Sequence, residues 1–290
     1  MNADTVAGAI RQSPASLGPR LLTAAVLATG ALASVYFGGI AFLAVVTALT
    51  AIVCFEWIKM SCPARSSATL LLAIAVVALS GALFAVCNAQ SALAAGAAGA
   101  IAVGLSAKLQ RNNPIWPAAG VFVFVVSMAA TLWLRAEEAA GLATLLWLFV
   151  VVWATDSGAY LFGNLIGGAA LAPRISPGKT WAGAVGGLAG GTLLGVGMAM
   201  LLQDLGVLER SGDLAIIAAA SAVLSFFSQA GDLAESAAKR LFGVKDSGAW
   251  LPGHGGALDR LDSLIFATPI LALAVLLAGG SASLLTWVGS

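Results

Sequence analysis

Long apolar runs recur along this sequence and limit what it can fold into. Each is about the length that crosses a bilayer as a helix, and short polar segments separate them. Because 60% of the residues are hydrophobic and only 9% are charged, a water-soluble domain is excluded. The predicted fold class is an all-α, polytopic integral membrane helical bundle. About nine transmembrane helices are expected, at residues 21–37, 39–58, 67–86, 91–106, 115–134, 139–155, 182–202, 213–231 and 262–283.

The first apolar run has two interpretations. Ala31-Leu32-Ala33 has the small-residue pattern of a signal-peptidase site, so a cleaved signal peptide is one of them. The apolar sequence resumes after Gly38-Gly39, however, and a helical hairpin formed by the first two spans is the interpretation that we favour.

The basic residues predict the orientation, since short cytoplasmic loops carry an excess of Lys and Arg. If the N-terminus and every second loop lie on one side, that side holds all of the 14 basic residues except Arg135 and Arg210. We therefore predict a cytoplasmic N-terminus and a C-terminus on the opposite side. A net charge of +1 without a basic tract predicts no nucleic-acid partner.

The stretch 231–263 concentrates the charge of an otherwise apolar chain. If its first part is helical, the spacing i, i+3, i+4, i+7 and i+8 places five polar side chains on one face: Asp232, Glu235, Ser236, Lys239 and Arg240. After Gly255-Gly256, Asp259 and Asp262 share a face at the start of the next helix. Carboxylates suit Mg²⁺, cations suit phosphate, and a glycine-flanked helix N-terminus lets an anion approach backbone N–H groups. A salt-bridged loop between two membrane helices is the alternative.

A second polar stretch, 153–183, lies on the same predicted side of the membrane. Asp156 ends an apolar span, and Ser176, Lys179 and Thr180 follow in the next loop. Gly178-Lys179-Thr180 is not a P-loop, because that motif needs a glycine where this chain has Pro173. The stretch predicts a weaker phosphate-contacting loop, and a loop that is basic only because it is cytoplasmic is the alternative.

These two stretches closely resemble the signature of the phosphatidate cytidylyltransferase (CDP-diacylglycerol synthase) family. The main match spans 236–262 and consists of Ser236, Lys239, Arg240, Lys245, Asp246, Gly248, Leu251, Pro252, His254, Gly255, Gly256, Asp259, Arg260, Leu261 and Asp262. Ala238 and Ala257 depart from it, toward smaller apolar residues. The second stretch matches at Asp156, Ser157, Ala159, Tyr160, Ser176, Pro177, Lys179, Thr180, Trp181 and Gly183. Gly178 and Ala182 stand there in place of residues that are often Lys and Glu.

The resemblance implies a membrane enzyme that condenses CTP with phosphatidate, drawn from the membrane lipids, to give CDP-diacylglycerol and pyrophosphate. The location expected for it is the bacterial cytoplasmic (inner) membrane. It implies Mg²⁺ as cofactor, with a second metal ion as an alternative. The expected metal ligands are Asp232, Asp259 and Asp262. The other expected catalytic residues are Lys239, Arg240, Asp246 and Arg260. Expected substrate-binding residues are Asp156, Ser176, Lys179, Thr180, Ser236, Lys245, His254, Gly255 and Gly256. His254 either donates to the pyrophosphate or only fixes its turn.

The expected organisation is an N-terminal group of membrane helices, 1–138, and a catalytic half, 139–290, with cytoplasmic loops at 156–183 and 231–262. In the catalytic half, a glycine stripe with a spacing of four predicts close helix packing, and a homodimer interface is the alternative: Gly183, Gly187, Gly191 and Gly195. The rival functions are a CTP-dependent polyprenol kinase, a cytidylyltransferase for another lipid phosphate, and a secondary transporter.

Overall fold

A computed structural model describes residues 28–64, 66–136, 138–207, 213–248 and 255–278. Within these ranges the chain forms nine helices and one β-hairpin. The helices are α1 (Ala28–Phe37), α2 (Gly39–Ser61), α3 (Ser67–Val86), α4 (Ala89–Leu109), α5 (Ile115–Arg135), α6 (Glu138–Ile166), α7 (Trp181–Asp204), α8 (Leu214–Leu241) and α9 (Leu258–Leu277). The antiparallel hairpin, β1 (Ala170–Ala172) and β2 (Ser176–Thr180), connects α6 to α7.

Eight of the described helices, α2 to α9, are long and apolar enough to cross a membrane. Such a chain forms helices because a backbone in hydrocarbon must satisfy its own hydrogen bonds. The predicted all-α polytopic membrane fold is confirmed. Of the first predicted span, only 28–37 lies within the described residues, and it forms the shorter helix α1. Gly38 and Gly39 both have positive φ, which ends α1 just before α2 begins.

Two helices extend well beyond the predicted spans. The predicted membrane spans end at 155 and 231, whereas α6 and α8 continue to Ile166 and Leu241. The segments 156–183 and 231–262, which the sequence predicts to be cytoplasmic, are helical over 156–166, 181–183, 231–241 and 258–262. Their cytoplasmic location stays a prediction. Polarity does not end these helices, because neighbouring protein groups contact their polar side chains. Lys179 of β2, for example, lies 2.7 Å from Asp232 of α8.

The glycine stripe of α7 packs within the chain, as predicted. A Cβ atom on Gly187 would lie 2.8 Å from the carbonyl oxygen of Thr155 in α6. A Cβ atom on Gly191 would overlap the Thr155 hydroxyl and lie 3.0 Å from that of Ser225 in α8. Thr155 donates to Ser225 across the same contact, at 2.8 Å. Small residues here let the backbones of α6 and α7 touch, and they let the hydroxyl of Ser225 in α8 reach the carbonyl of Gly187 at 3.3 Å.

This packing predicts opposite effects for the same substitution at two positions of α7. Gly187→Ala is expected to lower the free energy of unfolding by about 1–3 kcal/mol, because the new methyl group meets backbone that cannot move aside. Gly197→Ala is the matched control: a Cβ atom there has nothing within 4 Å. It should leave stability unchanged or raise it by up to about 1 kcal/mol. Thermal unfolding in detergent compares the two, and equal effects would contradict the packing.

Helix α9 connects the two parts of the chain. It packs against α8 and α6 and also against α5 and α2 of the N-terminal part. The division at 138/139 stays a prediction. The C-terminal ends of α2 and α8, the N-terminal end of α9 and the β-hairpin all meet at one end of the bundle. The α4–α5 turn lies at this end as well, because the side chain of Asn112 donates to the carbonyl of Ala64 just after α2. Among the described residues, every Lys and Arg except Arg135 lies on these segments, and we call this the basic end.

Candidate active site

Three carboxylates converge at the basic end. Asp232 and Glu235 are one turn apart on α8, and Asp262 lies in the first turns of α9. One oxygen of each lies within 4.8 Å of the others. Glu235 is buried, whereas Asp232 and Asp262 are half-buried. We call these three residues the acidic cluster.

The acidic cluster fits a hard divalent cation. Carboxylate oxygens are the ligands that Mg²⁺ prefers, and it commonly takes one or two of them together with substrate phosphates. Like charges held this close repel one another in a poorly solvated site, so a cation between them would stabilise the arrangement. The donor set therefore suits a divalent metal ion.

Lys239 links the acidic cluster to Asp259. Its ammonium lies 2.7 Å from Glu235 Oε2, one turn away on α8, and 2.7 Å from Asp259 Oδ1 on α9. All three side chains are largely buried, with exposed fractions of 14% for Lys239, 4% for Glu235 and 9% for Asp259. One cation thus lies between two carboxylates, and it holds the ends of α8 and α9 together.

Asp259 also accepts hydrogen bonds from two backbone N–H groups. Gly256 donates to its Oδ2 at 2.8 Å, and Ser247 donates to the same oxygen at 3.1 Å. Both oxygens of Asp259 are therefore engaged within the protein. Among the described residues, the sequence-predicted metal ligands Asp232 and Asp262 come together, but Asp259 contacts Lys239 and the backbone, and Glu235 stands in the cluster.

The β-hairpin covers the site from the other side. Lys179 of β2 lies 2.7 Å from Asp232 Oδ1. Arg240 donates to the carbonyl of Ile175 at 3.1 Å, which ties the hairpin to the end of α8. On α6, Asp156 accepts a long hydrogen bond of 3.5 Å from the hydroxyl of Ser263, the neighbour of Asp262. The two polar stretches, 153–183 and 231–263, therefore meet. This agrees with the prediction that both lie on the same side of the membrane.

The remaining predicted site residues lie around this centre. Thr180 caps α7, its hydroxyl accepting from the Gly183 N–H at 3.0 Å. Ser176 lies in β2 and Ser236 on α8, both half-buried. The side chains of Lys245, Asp246 and Arg260 are exposed, and Gly255 has positive φ before α9. Leu251, Pro252 and His254 lie outside the described residues, so the structure describes no role for His254.

Sequence reasoning left Glu235 out of the predicted site. The signal was present, because Asp232 and Glu235 are three residues apart on the same predicted helix face. A second buried carboxylate, Glu56 of α2, also contacts this region, through Ala257 and Leu258. An acid within an apolar span usually marks a function.

Residues 18–278 match the model of the cytidylyltransferase family. The chain belongs to this cytidylyltransferase family. A relative from Brucella suis biovar 1 (strain 1330), named phosphatidate cytidylyltransferase, is 38% identical over 258 residues, which cover 89% of this chain and 93% of that protein. A Staphylococcus aureus (strain COL) protein with the same name is 48% identical over 131 residues, or 45% of this chain and 48% of that protein.

The range that matches the family model, 18–278, contains every described helix at the basic end. It includes the acidic cluster, Lys239 and Lys179, together with Glu56. The family recognised from the two sequence motifs is therefore confirmed.

Proposed function

We propose that this protein is a phosphatidate cytidylyltransferase, which condenses CTP with phosphatidate to give CDP-diacylglycerol and pyrophosphate. The observation that carries the proposal is the convergence of the acidic cluster with Lys179 and Lys239 at one end of a membrane bundle. Relatives with that name along nearly the whole chain support the choice of substrates.

The reaction needs positioning and charge neutralisation more than a covalent nucleophile. A phosphate oxygen of phosphatidate attacks the α-phosphorus of CTP, a new oxygen–phosphorus bond forms, and the bond to the bridging oxygen of pyrophosphate breaks. The charge that develops on the transferring phosphoryl oxygens is stabilised by fixed cations in a poorly solvated site. Carboxylates and lysines held at this end of the bundle are suited to that task.

Asp232, Glu235 and Asp262 would hold a divalent metal, for which Mg²⁺ is proposed. When bound, such an ion supplies a Lewis acid for the phosphate oxygens. The sequence predicts Asp259 as a ligand as well. We propose instead that Asp259 positions Lys239, because both of its oxygens accept hydrogen bonds within the protein.

The surrounding cations would bind the triphosphate and the lipid phosphate. Lys179 lies on the hairpin and contacts Asp232, so a phosphate that enters beside Asp232 would meet its ammonium. Arg240, Lys245 and Arg260 lie near the same end of α8 and α9 and would contact phosphate at the rim. Binding roles for the remaining predicted residues stay predictions: Asp156, Ser176, Thr180, Ser236, Asp246, His254, Gly255 and Gly256.

We further propose that the basic end faces the cytoplasm of a bacterial inner membrane. The concentration of Lys and Arg at this end supports that orientation. CTP would then arrive from the aqueous side, and phosphatidate would enter from the adjoining lipid leaflet. A homodimer stays a prediction, as does the absence of a nucleic-acid partner.

Transfer of label from CTP to lipid tests the proposed reaction. Protein purified in detergent is incubated with radiolabelled CTP, Mg²⁺ and phosphatidate, and the lipid product is separated. CDP-diacylglycerol is the expected product. For this reaction, and for parallel reactions with polyprenyl phosphate and other lipid phosphates, the CTP carries its label in the α-phosphate, which a cytidylyltransferase transfers to lipid. A separate reaction with polyprenol uses CTP labelled in the γ-phosphate, which a kinase transfers. A product only from one of those acceptors would overturn the choice of phosphatidate.

Removing divalent metal is expected to lower the rate at least about 100-fold, since a bound cation contributes several kcal/mol of charge stabilisation to such a reaction. The measurement is the same transfer with EDTA, followed by titration with Mg²⁺. Recovery of the rate on titration supports metal dependence and excludes damage by the chelator. An unchanged rate in EDTA would contradict it.

A further inference from the structure

Glu56 of α2 lies at the N-terminal end of α9. Its Oε1 accepts from the N–H of Ala257 at 2.9 Å, and its Oε2 accepts from the N–H of Leu258 at 2.8 Å. The hydroxyl of Ser247 donates to Oε2 at 2.9 Å. Glu56 is 1% exposed. One buried carboxylate thus receives three hydrogen bonds from a segment about 200 residues further along the chain.

Burying a carboxylate at this position would cost free energy if it had no hydrogen-bond partners. Glu56 lies in a candidate membrane span, where burying a polar group without hydrogen bonds costs free energy. Here it meets the first N–H groups of a helix, which have no partner within the helix and carry its positive dipole end. The same contacts therefore provide hydrogen-bond partners both for the Glu56 carboxylate and for the N–H groups at the start of α9.

The contacts of Glu56 and Asp259 share a residue. Ser247 donates its hydroxyl to Glu56 and its backbone N–H to Asp259. Gly256 donates its N–H to Asp259, and its neighbour Ala257 donates to Glu56. Glu56 therefore holds the backbone on which Asp259 depends, and Asp259 in turn contacts Lys239.

Two glycines make room for this arrangement. A Cβ atom on Gly256 would overlap the Ser247 hydroxyl and lie 2.6 Å from Glu56 Oε2. A Cβ atom on Gly248 would lie 2.5 Å from Glu56 Oε1. Gly256 thus permits the close approach of Glu56, and its N–H donates to Asp259. The substrate-binding role that the sequence predicts for Gly256 stays a prediction.

We propose that Glu56 is a positioning residue for the transfer reaction: it fixes Ser247 and the first turn of α9 so that Asp259 holds Lys239 beside the acidic cluster. Glu56 does not touch the cluster in the described contacts, so it acts through these residues. The inference rests on the proposed function for its kinetic test, but the backbone contacts can be tested without any substrate.

Glu56→Gln is the test variant, because it keeps the size of the side chain and replaces one accepting oxygen by a donor. It is expected to lower kcat about 10- to 100-fold, since small misplacements of catalytic groups have effects of that size. The KM for CTP should change less than about twofold, because Glu56 does not contact substrate. Glu56→Asp keeps both acceptors on a shorter side chain and is expected to recover part of kcat.

Ser61→Ala is the matched control. Ser61 is buried on the same helix, and its hydroxyl donates to the carbonyl of Trp57 one turn earlier, at 2.7 Å. Its kcat per folded protein should equal that of the parent. If Glu56→Gln does not fold, Ser247→Ala replaces it as the test, and the loss of a single hydrogen bond should lower kcat about threefold.

Hydrogen–deuterium exchange measures the backbone contacts directly. Exchange at 255–262 should rise in Glu56→Gln and stay unchanged in Ser61→Ala, whichever reaction the protein catalyses. Parental kcat in Glu56→Gln, an equal loss of kcat in Ser61→Ala, or unchanged exchange would overturn the inference. A parent that makes no CDP-diacylglycerol would overturn the proposed function instead, and the exchange comparison would still decide whether Glu56 holds the segment.

Discussion

Asp262→Asn is expected to lower the rate of CDP-diacylglycerol formation by about 10²–10³-fold, the effect of losing one group that stabilises developing charge. Asp262 is the α9 member of the acidic cluster, and its carboxylate lies within 4.8 Å of those of Asp232 and Glu235. Asparagine keeps the shape of the side chain but loses the negative charge and one accepting oxygen. The protein should still insert and fold, because removing a charge from this cluster relieves repulsion.

Asp213→Asn is the matched control for this prediction. Asp213 caps the opposite end of α8 by accepting from the Ala215 N–H at 2.8 Å, and asparagine caps helices equally well. It lies about 28 Å along the helix from Asp232, at 1.5 Å per residue. Its rate per folded protein should equal that of the parent. An Asp262→Asn enzyme with near-parental turnover would remove Asp262 from the reaction centre.

Lys239→Met is expected to abolish measurable turnover and to lower the free energy of unfolding by about 3–5 kcal/mol, the effect of breaking a buried ion pair from one side. Lys239 is 14% exposed and is the cation between Glu235 and Asp259, which lie 2.7 Å from it. Methionine fills the same space without charge, so two buried carboxylates would face each other. Specific activity and thermal unfolding in detergent measure the two effects separately.

The double variant Lys239→Met/Glu235→Gln tests the reason for the instability. Because it removes one of the facing carboxylates, it should regain much of the lost stability while turnover stays absent. Lys59→Met is the surface control, since Lys59 is exposed on α2 and lies 5.8 Å from the Phe55 ring. It should change stability by less than about 1 kcal/mol. Parental stability and turnover in Lys239→Met would contradict the bridging role.

The membrane fold could be predicted from the sequence because hydrocarbon imposes a simple rule on length and polarity. The ends of α6 and α8 could not, because the sequence alone does not show which polar side chains find partners. Lys179, for example, meets Asp232 only after the hairpin folds onto α8. Helical spacing correctly placed Asp232 and Glu235 on one face, since that relation is local.

Local sequence patterns do not predict which groups Asp259 and Gly256 contact. Asp259 and Asp262 are three apart at the start of α9, and the sequence interprets them as one ligand set. In the structure their carboxylates serve different contacts, because Ser247 and Lys239 approach Asp259. Near the start of α9, where the sequence predicts N–H groups that bind phosphate, Gly256 donates its N–H to Asp259 and Leu258 donates its N–H to Glu56. Glu56 is remote in sequence, so no local pattern indicates that contact.

Mn²⁺ binding separates the proposed metal ligands, Asp232, Glu235 and Asp262, from Asp259, which is proposed to position Lys239. Electron paramagnetic resonance would measure the affinity of the parent and of Asp232→Asn, Glu235→Gln, Asp262→Asn and Asp259→Asn for Mn²⁺ in the presence of CTP. The three cluster variants should bind Mn²⁺ at least about tenfold more weakly. Asp259→Asn should keep parental affinity and lose turnover. Weak binding by Asp259→Asn together with parental affinity in Glu235→Gln would contradict this assignment.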